Sequence, residues 1–150
     1  MTIEEMEQLD KAKTKILKYI LYKKRSEGEI RNKFSGTIEE NLLDDAIEYL
    51  KEAGYINDKE YIKKTVNEWK TLKNLSQKEI QFKLLSKGLN KEDIEDYMSE
   101  NREELENFEI KSAEDIIYKK ESSKEAEEII QYLLKKGYKM DNIKKAIEEE

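Results

Sequence analysis

A chain of 150 residues with 29 basic and 35 acidic side chains, and with no histidine, cysteine or proline, excludes several kinds of protein at once. Without cysteine there is no disulfide framework, thiolate nucleophile or zinc-finger ligand set, and without histidine the commonest general base and transition-metal ligand are missing. The 43% of charged residues is far above the usual ~25%, but the charges nearly cancel to -6 and apolar residues recur at helical spacing, so a disordered chain is not expected.

The absence of proline, with Glu, Lys, Ile and Leu plentiful, predicts an all-α protein. Nine helices are expected, over about 4–24, 27–34, 39–53, 58–73, 77–87, 91–100, 110–119, 123–136 and 140–148. Ser26 with Glu29, Thr37 with Glu40, Ser76 with Glu79 and Ser122 with Glu125 have the spacing of capping boxes, and Asn57 with Glu60, Asn90 with Asp93 and Ser112 with Asp115 are looser versions. Gly54, Gly88 and Gly137 each close a helical run between apolar residues five apart (Leu50 and Tyr55, Leu84 and Leu89, Leu133 and Tyr138), the pattern of a Schellman C-cap. Met6, Leu9, Ala12, Ile16 and Ile20 form an apolar stripe on the first helix, and Leu43, Ala46, Ile47 and Leu50 form one on the third. Trp69, Tyr22, Tyr61, Tyr97 and Tyr132 sit at or beside such stripes, where packing is expected rather than base stacking.

The chain also repeats itself. Ser26, Glu29, Ile30, Lys33 and Phe34 return fifty residues later as Ser76, Glu79, Ile80, Lys83 and Leu84, and a shift of 49 carries Ile80, Leu84, Gly88 and Ile94 onto Ile129, Leu133, Gly137 and Ile143. Three tandem three-helix, helix-turn-helix-like repeats are therefore expected, over 1–57 with an extended first helix, 58–106 and 107–150, stacked as an elongated, curved, monomeric array. The N-terminus has no apolar targeting segment and no run of ~18 apolar residues follows, so the expected location is the cytoplasm.

Several of these residues together resemble a known family. Leu17 to Tyr22, then Lys24-Arg25-Ser26 opening a helix with Glu29-Ile30 and Lys33, then Leu50-Lys51-Glu52-Ala53-Gly54-Tyr55-Ile56-Asn57-Asp58 and Tyr61, are similar to the RecX regulatory proteins of bacteria. Ile80, Leu84 and Lys87-Gly88-Leu89 continue the likeness, and Tyr132-Leu133-Leu134-Lys135-Lys136-Gly137-Tyr138 ends it, so that the resemblance covers about 12–148 in order. The short Ser35-Gly36-Thr37 turn, the absence of arginines around Trp69 and the acidic overall charge depart from the pattern. The resemblance implies a non-enzymatic protein that binds the RecA recombinase filament on single-stranded DNA and restrains it in DNA repair and the SOS response.

Charge placement adds separate evidence. Residues 11–33 hold nine basic side chains against two acidic ones, and 34–58 hold one basic against seven acidic. The alternation recurs, with nine lysines against three acids over 59–91 and one arginine against nine acids over 92–109. Stacked in register, the repeats should present a positive flank formed by Lys23, Lys24, Arg25, Arg31 and Lys33, continued by Lys63, Lys64, Lys70, Lys73, Lys83 and Lys87. Such a flank suits DNA phosphates or an acidic protein rim, and the alternative is a solvated face paired within the protein.

Two other functions fit the sequence less well. Residues 76–98 could serve as a helix-turn-helix binding DNA directly, but the helix after Asn90 carries Glu92, Asp93, Glu95 and Asp96, which phosphates repel, so at most a weak direct DNA contact is expected. An enzyme using paired carboxylates on a metal has no supporting Glu-x-x-His pair, phosphate loop or glycine-rich fingerprint, and no cofactor is expected.

Overall fold

The computed structural model describes residues 1–148. Among them nine α-helices follow in order: α1 (Ile3–Tyr22), α2 (Glu27–Phe34), α3 (Glu40–Glu52), α4 (Asp58–Leu72), α5 (Gln77–Ser86), α6 (Lys91–Glu100), α7 (Arg102–Lys120), α8 (Ala126–Lys135) and α9 (Met140–Glu148). The expected all-α class is the one that forms.

Local signals account for most helix ends. Ser26 and Ser76 close full capping boxes: each hydroxyl accepts the N–H of the glutamate three residues on, and that glutamate accepts the serine's own N–H at 3.0 Å. Asn57 and Asn90 cap α4 and α6 through their side-chain oxygens. Gly54, Gly88 and Gly137 take φ of +86°, +78° and +97°, and the double Schellman bonds form, as where Tyr138 N–H reaches Leu133 O at 3.0 Å and Gly137 N–H reaches Leu134 O at 3.0 Å.

Three expected caps are corrected. Thr37 lies in the tight turn after α2, and it is Glu39 whose carboxylate accepts the N–H groups of Asn41 and Leu42. Ser122 sits in the turn after α7, while α8 starts behind Glu125 with no side-chain cap bond. Ser112 is buried inside α7, which begins eight residues before the expected 110 and runs across residue 106. Its hydroxyl accepts the N–H of Leu75 at 3.3 Å, so a residue read as starting its own helix instead satisfies the loop before α5.

Each helix buries one stripe, and three apolar cores result. Ile16, Ile30, Ile47 and Leu50 centre the first, built from α1, α2 and α3. Ile62, Val66, Ile80, Leu84 and Ile94 centre the second, which also takes Leu105 from the first turns of α7. Ala113, Ile117, Leu133 and Ile143 centre the third, from the rest of α7 with α8 and α9. Tyr61, Tyr97 and Trp69 are buried as expected, but Tyr22 is 86% exposed, Tyr132 38% and Met6 53%. Tyr22 is the last residue of α1, two past Ile20, which still packs against the first core.

The same junction joins the first helix group to the second and the second to the third. The Ser26 hydroxyl, besides accepting from Glu29, donates to Lys87 O at 2.5 Å, and the Ser76 hydroxyl donates to Lys136 O at 2.7 Å. Lys87 and Lys136 are the C-cap residues of α5 and α8, whose last carbonyls have no partner within their own helix. The Glu27 N–H at the start of α2 bonds the Asp58 carboxylate at 2.9 Å, and the Gln77 N–H at the start of α5 bonds the Glu109 carboxylate at 2.8 Å. A negative group at a helix start is favourable.

Around these bonds the backbones come very close. An added Cβ on Gly28 would fall 2.1 Å from Gly88 O, and one on Gly137 would fall 2.8 Å from the Lys78 Cβ. The exposed surface of 10135 Å² exceeds by about a quarter the ~8,000 Å² of a compact monomer of this mass, in keeping with an extended stack.

Candidate functional site

The basic positions of the first helix group divide into exposed and committed ones. Lys23 and Lys24, where α1 gives way to the loop, are exposed, as is Lys33 on α2. Arg25 lies over the Tyr19 ring at 4.2 Å and 4.0 Å from the Glu29 carboxylate, which also accepts the Tyr61 hydroxyl at 3.1 Å. Arg31 is held by Glu27 at 3.0 Å and by Asp44 at 2.5 Å, and Lys51 meets Glu27 from the other side at 3.0 Å. The Asp44 hydrogen bond leads in raising the Arg31 pKa. Burial pushes the Glu27 carboxyl upward, but hydrogen bonds from Arg31 and Lys51 outweigh it and hold the pKa below its ordinary value. Arg25 and Arg31 therefore hold the fold together more than they face outward.

In the second group Lys64 and Lys73 are exposed and, among the described residues, outside any ion pair. Lys70 is ion-paired to Glu104 with its side chain largely covered. Lys63 shares an open groove of about 370 Å³ between α4 and α6 with Asp93 and Asp96, which gives that side a mixed charge. Lys83 stands 5.9 Å from the centre of the Trp69 ring, and Lys33 stands 5.9 Å from that of Tyr19, fifty residues earlier in both members. The structure thus brings Arg25 and Lys33 together at Tyr19, sets Lys87 against Ser26 at the junction, and places Lys83 at Trp69.

One exposed feature was not singled out from sequence. Phe82 on α5 is 70% exposed and borders an open groove of about 420 Å³ together with Lys78, Lys83, Lys135 and Lys136. A signal was available in the repeat itself: the corresponding positions are Asn32 on α2 and Gln131 on α8, both polar and exposed. Among the described residues no group of three or more carboxylates is placed to hold a metal ion. No helix among them is long and apolar enough to cross a membrane.

No sequence-family model matches the chain. A regulatory protein RecX from Clostridium perfringens strain SM101 is 30% identical over 146 residues, which cover 93% of this chain and 68% of that protein. The chain belongs to the RecX family. A second RecX, from Clostridioides difficile strain 630, is 30% identical over 141 residues, covering 91% of this chain and 66% of the relative. The chain spans about two thirds of the length of these two curated RecX proteins. The fold agrees: the crystal structure of RecX from Lactobacillus salivarius superposes with a TM-score of 0.81 at 24% identity, over 96% of this chain and 97% of that one. A second RecX crystal structure gives 0.79 at 19% identity, over 94% of this chain and 73% of that one.

Proposed function

We propose that this RecX-family chain is a non-enzymatic regulator that binds the RecA recombinase filament on single-stranded DNA and restrains its recombinase, ATPase and coprotease activities, acting as a cytoplasmic monomer. Family membership supports the regulatory role, since the curated relatives are named regulatory proteins. The observation that carries the placement of the interface is the set of exposed lysines, Lys23, Lys24, Lys33, Lys64 and Lys73, which have no ion-pair partner among the described residues. A stack of three helix groups, over 1–57, 58–106 and 107–150, would run this flank along a polyanionic filament, where charge both holds and steers.

The test is inhibition of recombinase ATP hydrolysis on single-stranded DNA. A single exposed contact contributes about 0.2–1 kcal/mol, so one substitution should change little. The combined Lys24→Glu, Lys33→Glu, Lys64→Glu and Lys73→Glu variant should keep its circular dichroism and lose most inhibition, whereas reversal of Glu92, Asp93 and Glu95 should matter less. Equal loss from both sets would return these charges to a purely solvating role. Arg25 and Arg31 are left unchanged because their reversal would break the ion pairs and ring contact that hold α2.

A further inference from the structure

We propose that the groove between α5 and the end of α8 is a binding site for single-stranded nucleic acid, in which an unpaired base stacks on Phe82 and the adjoining phosphates lie against Lys78, Lys83, Lys135 and Lys136. The proposal deepens the reading above by naming a nucleic-acid contact for the regulator, and it extends that contact from the second helix group into the third.

The first argument is the aromatic itself. Phe82 leaves 70% of its surface in water although the equivalent positions, Asn32 and Gln131, show that the helix needs nothing apolar there. Burial does not explain a phenylalanine at this position, and a ring exposed among cations is the arrangement that holds unpaired bases.

The second argument is electrostatic. None of the four lysines around the groove forms an ion pair among the described residues, so their charges are left for an anion. The acid of the lining, Glu79, is turned to the helix start, where its carboxylate accepts the Ser76 N–H at 3.0 Å. Lys136 also lies 5.7 Å from the centre of the Tyr132 ring, a second aromatic beside the same end of α8.

The third is construction. Gly137 leaves the space in which the Lys78 stem crosses the end of α8, since a Cβ there would stand 2.8 Å from the Lys78 Cβ and 3.2 Å from its Cδ. The junction that stacks the second and third helix groups therefore also gathers lysines from both beside one ring. Duplex DNA keeps its base faces inside the stack and offers Phe82 nothing, so the site selects single strands, and it does so with little regard to sequence because every base has a π-face.

The experiment uses the full chain and a fluorescein-labelled thymidine oligonucleotide of about twenty nucleotides, followed by anisotropy without recombinase. Phe82→Asn, which installs the residue of the first group, should keep full helicity and bind roughly tenfold more weakly. The Lys135→Glu and Lys136→Glu pair should weaken binding and flatten its salt dependence. Photolysis with a 5-iododeoxyuridine oligonucleotide should place the adduct on Phe82 in the parent protein, which needs no variant to fold. Binding of Phe82→Asn equal to the parent, an adduct elsewhere, or equal affinity for a duplex overturns the proposal. Loss of filament inhibition by Phe82→Asn with oligonucleotide binding intact also overturns it, since the groove would then dock a protein. Because the oligonucleotide assay contains no recombinase, it separates failure of this site from failure of the filament reading, which the ATPase assay reports.

Discussion

The Lys120 ammonium lies 4.2 Å from the centre of the Tyr132 ring, and this pair inverts the one that Trp69 and Lys83 form in the preceding helix group. Lys120 follows Trp69 by the same 51 residues that separate Glu109 from Asp58, the two carboxylates receiving a helix-start N–H across the junctions. Tyr132 follows Lys83 by the 49 residues that separate Gly137 from Gly88. The contact between the end of the first helix and the second helix is thus kept while its two partners trade places. A double-mutant cycle on Lys120→Met and Tyr132→Leu should give a coupling of about 0.5–1 kcal/mol in thermal unfolding. A coupling near zero would mean that the two side chains are neighbours without attraction.

Gly28→Ala should destabilise. An alanine inside a helix normally stabilises by roughly 0.5–1 kcal/mol over glycine. Here the added methyl would meet Gly88 O at 2.1 Å. Overpacking of this kind costs about 1–3 kcal/mol, so the net sign reverses. Chemical denaturation of the variant measures it, and a gain in stability would show that the two helix groups part easily.

The serines and Glu125 form a contrasting set. Ser76→Ala removes both an N-cap and the bond to Lys136 O, and the cap alone is worth about 1 kcal/mol. Glu125, in the place equivalent to Ser76, makes no side-chain cap bond. Glu125→Ser should therefore raise the melting temperature and Ser76→Ala should lower it, both read by calorimetry.

Acid should act on the third helix group through Glu106. Burial pushes this carboxyl upward, but hydrogen bonds from Lys139 and Asn142 dominate and bring its pKa to about 2 from the ordinary 4.5. A folded-state pKa below the unfolded value contributes stability that is complete above pH 4.5 and is lost as pH falls toward 2. Asp58 runs the other way: burial raises its pKa, so protonation favours the folded form there. Melting curves between pH 5 and 2.5 should fall less steeply for Glu106→Gln than for the parent, and parallel curves would remove Glu106 from the acid response.

What could be read from the sequence was what local chemistry specifies. Ser26 and Ser76 start their helices and Gly54, Gly88 and Gly137 stop theirs because caps depend on residues three to five apart. The failures came where a partner distant in sequence uses the signal. Ser112 had the spacing of a cap but serves Leu75, and Glu109, buried in α7, serves Gln77 and Lys139. Charge runs named the basic stretches correctly as stretches, yet Arg31 and Lys70 are spent on Asp44 and Glu104 on neighbouring helices. Phe82 escaped notice because an apolar residue on a helix is ordinarily assigned to a core, and only its exposed polar counterparts expose the difference.

Because Ser26 and Ser76 donate to the main-chain carbonyls of Lys87 and Lys136, the acceptor half of each junction survives any side-chain substitution at those two positions. The pitch of the stack is then inherited from turn geometry, and the junction places no demand on which amino acids are displayed at residues 87 and 136. A lineage could recharge this surface for a different polyanion while the spacing of its helix groups stayed as it was.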